Sequence, residues 1–387
     1  MIYVDSLNAT YPTNWKKLKL HDLCKINYGQ SPNRILDQEG IYPVVGTSGT
    51  TRKGKDYFID GETVIIGRKG SIDKPNYYNE KIWVIDTAFF TSDHKNLDCR
   101  WLYYYLDNSR LSRLNESTGV PSLSRATLYN LELLCPPIFE QQKISQILST
   151  WDRAIERVQR LIEAKQRQKK GLMQGLLTGR LRFPEFGEPA EEMGKIPNGW
   201  KVVEFHDCAT RSKKKIDPVM NDFNFRCVEL EHISQETGKI IGETESKQQT
   251  STKNYFRPGN VLFGKLRPYL HKFAYCDFEG VCSSEIWVLQ TKSICTSRYL
   301  FYLVQTDTFL SASIQTTGTK MPRSDWSVVR KAKFALPALE EQERIVVLLD
   351  QVELNIELLE RYVMQLKQQK KGLMQKLLTG EIRVKVE

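Results

Sequence analysis

The sequence predicts an α+β protein: two mixed α/β modules separated by two long antiparallel coiled-coil helices, the whole a pseudo-twofold tandem repeat. Three observations carry this reading. One stretch of the chain occurs twice almost unchanged, that stretch has a heptad pattern, and the parts between have diverged into short β-rich runs bounded by glycine turns.

The duplication comes first. Lys169-Lys170-Gly171-Leu172-Met173-Gln174 recurs as Lys370-Lys371-Gly372-Leu373-Met374-Gln375, an offset of 201 residues. Leu176-Leu177-Thr178-Gly179 likewise recurs as Leu377-Leu378-Thr379-Gly380. The same offset carries Pro136 onto Pro337, Glu140-Gln141 onto Glu341-Gln342 and Ile144 onto Ile345. Nearer the start of each half the offset shrinks but the likeness persists. Pro12-Thr13-Asn14-Trp15 answers Pro197-Asn198-Gly199-Trp200, His21-Asp22 answers His206-Asp207, and Tyr57-Phe58 with Gly61 answers Tyr255-Phe256 with Gly259. A shared scaffold carrying two different readers has this appearance.

The conserved parts read as helices. Leu148, Trp151, Ile155, Val158 and Ile162 fall at alternating steps of three and four, and the frame runs on through Lys165 and Lys169 to Leu172 and Leu176. In the second copy the frame is Leu349, Val352, Ile356, Leu359, Val363, Leu366, Lys370, Leu373 and Leu377. This is a heptad seam. Pro136, Pro137 and Pro337 suit a helix start, Glu140 and Glu341 suit the positive end of a helix dipole, and Gly179 and Gly380 suit C-terminal caps. Gly171 and Gly372 are weak helix formers inside the pattern, which leaves room for a kink or break there. A helix of about 40 residues is about 60 Å long. Two equal seams in one chain most simply bury each other as an antiparallel pair. The seam lysines Lys165, Lys169 and Lys370 are expected to loosen that coil unless their charges reach solvent. The helix pair reads either as a plain structural coil or as a spacer that sets the distance between two domains.

The diverged parts carry β runs, Thr63-Val64-Ile65-Ile66 and Val261-Leu262-Phe263, and one helix each. Trp101, Leu102, Tyr105 and Leu106 lie at helical spacing, as do Tyr299, Leu300, Leu303 and Val304, and both sets read as core faces. After each β run comes a basic turn, Gly67-Arg68-Lys69-Gly70-Ser71 and Gly264-Lys265-Leu266-Arg267-Pro268-Tyr269. A second pair of loops holds Gly119 to Arg125 and Gly318-Thr319-Lys320-Met321-Pro322-Arg323, and a third candidate runs from Val45 through Thr47 and Ser48 to Lys53. Glycines let a backbone approach phosphate closely, and Arg or Lys neutralises phosphate or reads a guanine edge. A basic turn is usually only a solvated loop; recurrence at matching places in both halves is what makes Thr47, Ser48, Arg68, Lys69, Ser71, Ser122, Arg125, Lys265, Arg267, Tyr269, Lys320 and Arg323 candidate DNA contacts.

Composition bounds the rest. The 387 residues allow two or three domains, and a net charge of +10 favours an anionic partner. Neither a membrane span nor, over Met1 to Thr10, a signal peptide is read in the sequence, so a cytoplasmic protein is expected. The eight cysteines and five histidines show no metal-ligand spacing, and reduced, mostly buried thiols are expected.

Catalysis finds little support. Gly49-x-x-x-x-Gly54-Lys55 imitates a phosphate-binding loop, but Asp56 stands where Ser or Thr would hold magnesium, and Tyr57-Phe58 reads as strand rather than helix. Asp217 with Glu245-Ser246-Lys247 faintly resembles a nuclease carboxylate–carboxylate–lysine set without a counterpart in the first half. Asp73 to Tyr78 echoes an adenine-methyltransferase motif with no glycine-rich cofactor loop. No nucleophile, base and orienting group assemble at matching positions.

The ordered combination resembles the specificity subunits of type I restriction–modification systems. It consists of Pro136–Gln141 and Pro337–Gln342 entering the helices, the paired Leu-Met-Gln…Leu-Leu-Thr-Gly endings, Gly199-Trp200-Lys201, and the Gly67–Ser71 and Gly264–Leu270 turns. The resemblance covers nearly the whole chain. It implies target-recognition domains at 1–135 and 183–335, and conserved helical spacers at 136–182 and 336–387. It further implies a bipartite, asymmetric DNA site, one half per domain, and a non-catalytic chain that docks two adenine methyltransferase subunits and is joined by restriction/translocase subunits. S-adenosylmethionine, ATP and Mg would belong to those partners, with no cofactor in this chain. Two rivals are a nuclease or methyltransferase fused to a recognition domain, which needs a catalytic motif in one half, and a coiled-coil scaffold that binds no DNA, which the basic turns and the charge oppose.

Overall fold

The computed structural model describes residues 11–190, 195–315 and 321–385. Met1 to Thr10, read above for a signal peptide, lie outside the described residues. The chain forms two compact units, one of residues up to Arg160 together with those from Glu360 onward, the other of Leu161–Leu359. Each contains one module, half of the first long helix and half of the second. The fold is the α+β tandem repeat that the sequence predicts.

In the first unit the main sheet is antiparallel and four-stranded, in the order Lys25–Tyr28, Ala88–Ser92, Glu62–Gly67, Asn76–Asn79. Its centre is the β run read above, where Val64, Ile65 and Ile66 are buried. Helix Cys99–Asn108 buries Trp101, Leu102, Tyr105 and Leu106 in the same core as Val64 and Ile66, and starts where the Asp98 carboxylate accepts the Trp101 amide at 2.7 Å. A smaller sheet joins Gly49–Gly54, Tyr42–Gly46 and Trp83–Val84.

The second unit repeats the main sheet: Ala209–Arg211, Ile286–Thr291, Val261–Gly264, Phe273–Tyr275, again all antiparallel. Helix Ser297–Leu303 takes the place of Cys99–Asn108, with Thr296 as its N-cap. Its smaller sheet has five strands where the first module has three, including a parallel pairing of Arg226–Val228 with Gly280–Cys282. The sequence predicts one helix per module, but each also carries short ones, Leu20–Leu23 and Arg125–Tyr129 in the first and Phe205–Cys208 and Trp326–Val329 in the second, and the second adds Asp307–Ile314, started by the Thr306 hydroxyl accepting the Phe309 amide. Thr306, three residues past the end of Ser297–Leu303, caps the next helix, a signal the apolar spacing does not contain.

The long helices run Ile138–Leu177 and Leu339–Thr379 and continue through Gly171 and Gly372 without a break. Helical backbone at a glycine costs only about 1 kcal/mol relative to alanine, a small sum against the packing on either side. Within each unit the halves are antiparallel. In the first unit Arg383 pairs with Glu140 and Lys370 with Asp152; in the second Arg182 pairs with Glu341 and Lys169 with Glu353. The seam lysines Lys169 and Lys370 therefore do not reach solvent. They close ion pairs across the seam, and only Lys165 stays on its own helix, bonded to Gln168.

One joint recurs at the entry to each long helix. Trp15 Nε1 donates to Glu140 at 3.1 Å, and Trp200 Nε1 donates to Glu341 at 3.0 Å. Arg182 makes a two-pronged pair with Glu341, at 2.9 and 3.0 Å, with side-chain exposures of only 5 and 3%. Gln141 donates to the Pro136 carbonyl and accepts the Asp98 amide, as Gln342 donates to Pro337 and accepts from Thr296. Gly179 and Gly380 close the joint with φ near +74° and +76°; a side chain there would collide with Pro197 and Pro12 respectively. The duplicated Pro-x-x-x-Glu-Gln and Leu-Leu-Thr-Gly segments are thus two parts of one joint, made twice.

Candidate nucleic-acid interface

In the first module the Gly67–Ser71 turn leaves the central strand so tightly that a Cβ on Gly67 would sit 2.3 Å from the Ser71 carbonyl oxygen. The turn is stitched to the Gly119–Arg125 loop. Gly70 donates its amide to Pro121 at 2.8 Å, Leu123 donates to Arg68 at 2.9 Å, and Lys69 pairs with Ser122 as a β-bridge. The guanidinium of Arg68 lies over the Tyr28 ring at 5.1 Å and donates to the Asp86 carbonyl, and Arg125 lies over the same ring at 5.0 Å. Tyr28 is 46% exposed, so a cation–aromatic–cation cluster faces solvent. Lys69, Ser71 and Arg125 are exposed beside it, and Ser124 caps the helical turn that begins at Arg125.

The second module repeats the stitch. Arg267 donates its amide to Pro322 at 2.8 Å, Ser324 donates to Lys265 at 2.8 Å, and Leu266 bridges Arg323. Arg267 and His271 are both left-handed, which bends the loop sharply and leaves Tyr269 at 53% exposure. This backbone register equates Arg68 with Lys265, Lys69 with Leu266, Gly70 with Arg267 and Ser122 with Arg323. The two turns match, but their cations coincide only at the first of these positions. The side chains also differ in company: Glu285 accepts from Arg323 at 3.0 and 3.4 Å and lies 3.9 Å from the Lys265 ammonium. Lys320, with Gly318 and Thr319, lies outside the described residues.

Thr47 and Ser48 form a two-residue hairpin tip between Tyr42–Gly46 and Gly49–Gly54. That hairpin meets strand Asn76–Asn79, where the Thr50 hydroxyl and Tyr78 OH are 3.1 Å apart. No hydrogen bond among the described residues joins the tip to the two stitched loops. The whole of Gly49–Gly54 is strand, which rules out a phosphate-binding loop on geometry. Tyr57-Phe58, read as strand, are loop residues beyond its end. Asp217 follows strand Lys215–Ile216 and Glu245 lies in strand Thr244–Glu245, and these are the opposite edges of the five-stranded sheet, so the faint nuclease trio does not assemble. Among the described residues no three His, Cys, Asp or Glu side chains gather as metal ligands. All eight cysteines are free and buried, as expected, and burial pushes Cys24 up to about 12 and Cys135 up to about 11.

Sequence reading missed Tyr28 and Glu285. Strand alternation puts Tyr28 on the face of buried Ile26, which argues for core rather than surface, and Glu285 lies 20 residues from Lys265 and 38 from Arg323.

The model of the type I restriction modification DNA specificity domain matches this chain twice, over residues 12–166 and 197–368. The chain belongs to that family. The MjaVIII specificity subunit of Methanocaldococcus jannaschii is 25% identical over 97% of this chain and 94% of its own length. The EcoDI specificity subunit of Escherichia coli is 24% identical over 87% of this chain and 80% of its own. In structure, the S subunit of a type I restriction–modification system from M. genitalium superposes with a TM-score of 0.59 at 13% identity, covering 98% of each chain. The protein is thus a type I specificity subunit, the non-catalytic, DNA-binding component of such a system, which acts with methyltransferase and restriction subunits. No helix among the described residues is long and apolar enough to cross a membrane.

Proposed function

We propose that this specificity subunit reads a bipartite, asymmetric duplex site, one half through each module. Arg68, Lys69, Ser71, Ser122 and Arg125 serve the first half, and Lys265, Arg267, Tyr269 and Arg323 the second. The observation that carries this is the repeated stitch: the same two loops, bonded through the same backbone groups, with different side chains in each module. A fixed frame with exchanged side chains suits two readers of different sequence. Thr47 and Ser48, on a separate hairpin tip, and Lys320, outside the described residues, are further candidate DNA contacts.

The long helices dock two adenine methyltransferase subunits and set the gap between half-sites; helices of about 60 Å suffice for half-sites one duplex turn, about 34 Å, apart. Restriction/translocase subunits join that core. S-adenosylmethionine, ATP and Mg are held by the partners, and the assembly works in the cytoplasm.

The test is module exchange. Replacing residues 1–135 with the corresponding module of another family member, co-expressing the methyltransferase, and mapping methylated adenines is expected to change one half-site and keep the other. A change in both halves together overturns the assignment of one half to each module.

A further inference from the structure

The two modules present one backbone frame with opposed electrostatics. The Arg68 amide donates to the Thr87 carbonyl at 3.0 Å and the Lys265 amide to the Glu285 carbonyl at 2.9 Å, so Thr87 and Glu285 occupy the same place. Among the described residues Arg68, Lys69 and Arg125 have no ion-pair partner; Arg68 and Arg125 lean on Tyr28 instead. In the second module a carboxylate stands in the middle. Glu285, 26% exposed, engages Nε and Nη2 of Arg323 with its two oxygens and lies 3.9 Å from Lys265.

We propose that Glu285 is a specificity-determining residue of the second module, resting on the DNA-reading role proposed above. A guanidinium has two usable edges. Glu285 occupies the Nε–Nη2 edge of Arg323, which fixes the plane and leaves the Nη1–Nη2 edge for a pair of coplanar acceptors, as guanine O6 and N7 provide. An arginine held in this way discriminates, because it does not swing to the nearest phosphate. The carboxylate also cancels one of the two positive charges of Lys265 and Arg323. It therefore weakens a phosphate-only encounter, which every sequence offers equally, and leaves the oriented base contact intact. The first module, with Thr87 at this place, grips through uncompensated cations and an aromatic ring.

The test uses the full-length chain. Bound duplexes are selected from a randomised pool, and the selected and scrambled duplexes are then titrated over a salt series with the unaltered chain, Glu285→Gln, Glu285→Asp and Arg323→Ala. Glu285→Gln is expected to bind the scrambled duplex more tightly, with a salt slope steeper by about one. It is expected to lose roughly tenfold of its preference at a single position of the second half-site, the position also lost in Arg323→Ala. The first half-site preference stays unchanged and reports that the chain is folded, and Glu285→Asp recovers part of the lost preference. Retention of the second-half preference in Glu285→Gln overturns the proposal, as does equal weakening on both duplexes. If the unaltered chain selects no sequence at all, the DNA-reading role falls and this inference with it. If it selects both halves and Glu285→Gln does the same, only the role of Glu285 falls.

Discussion

Glu140 and Glu341 each gather a tryptophan from the module and an arginine from the other helix's end at the first turn of a long helix. Glu341→Ala leaves Arg182 charged and buried and the Trp200 indole N–H without an acceptor. The expected cost is about 3–5 kcal/mol, measured by equilibrium denaturation. Glu341→Gln keeps an acceptor for the indole and is expected to cost less. A second residue gives a pH signature. Burial lowers the pKa of His271 below the ordinary histidine value, opposed by its bond to the Val304 carbonyl and by Glu236 and Asp307. His94 is lowered by burial as well. The unfolded chain then binds protons first as pH drops, so stability is full above the ordinary value of about 6.5 and declines as pH falls through and below it. A denaturation midpoint at pH 5 no lower than at pH 7 contradicts this, and His271→Gln is expected to flatten the dependence.

At the scale of elements, the long helices were legible because a seam of period 3.5 persists over many turns and is repeated at one fixed offset. The central strands were legible for a similar reason, being apolar runs bounded by glycine. The small sheets were not. Strands such as Lys215–Ile216 and Thr244–Glu245 have two residues each, too few to show any alternation, and their register comes from distant partners. Of the candidate interface, the turns and loops were legible as recurrent basic segments. The stitch between them was not, since it is made by backbone groups whose sequence carries no mark, and neither was the Glu285 cluster, which only the sheet brings together. The seam lysines were read as a weakness because one helix alone does not reveal the facing carboxylate. Lys169 and Glu353 are about 15 and 17% exposed. Glu353→Leu alone is expected to cost about 1–3 kcal/mol by stranding Lys169, whereas adding Lys169→Met brings stability back to within about 1 kcal/mol of the unaltered chain. Thermal melts of the unaltered chain, Glu353→Leu and the double variant decide it; equal losses in single and double variants would show the pair to be unimportant.

For the whole molecule, the duplication makes two copies of one joint, only one of which is covalently continuous. Gly179 reaches Trp200 through the intervening chain, whereas Gly380 meets Pro12 and Trp15 through contact alone. A circular permutant in which a short linker joins residue 385 to residue 11, and the chain is opened after Ala190, is therefore expected to keep the fold. Circular dichroism and duplex binding like those of the unaltered chain support this; a chain that does not fold counts against the equivalence of the joints.

That same arrangement sets an order in time. The core around Trp200, Phe205 and Tyr299 draws, among the described residues, on none beyond Leu349, so all its parts are made before the last turns of the second long helix. The core around Trp15 and Trp101 also needs Met374, Leu377 and Leu378. The module made first therefore keeps part of its apolar surface uncovered until Met374 to Leu378 have been made, while the module made second has all its core parts before then. The order in which the modules are made and the order in which their cores are fully supplied run in opposite directions.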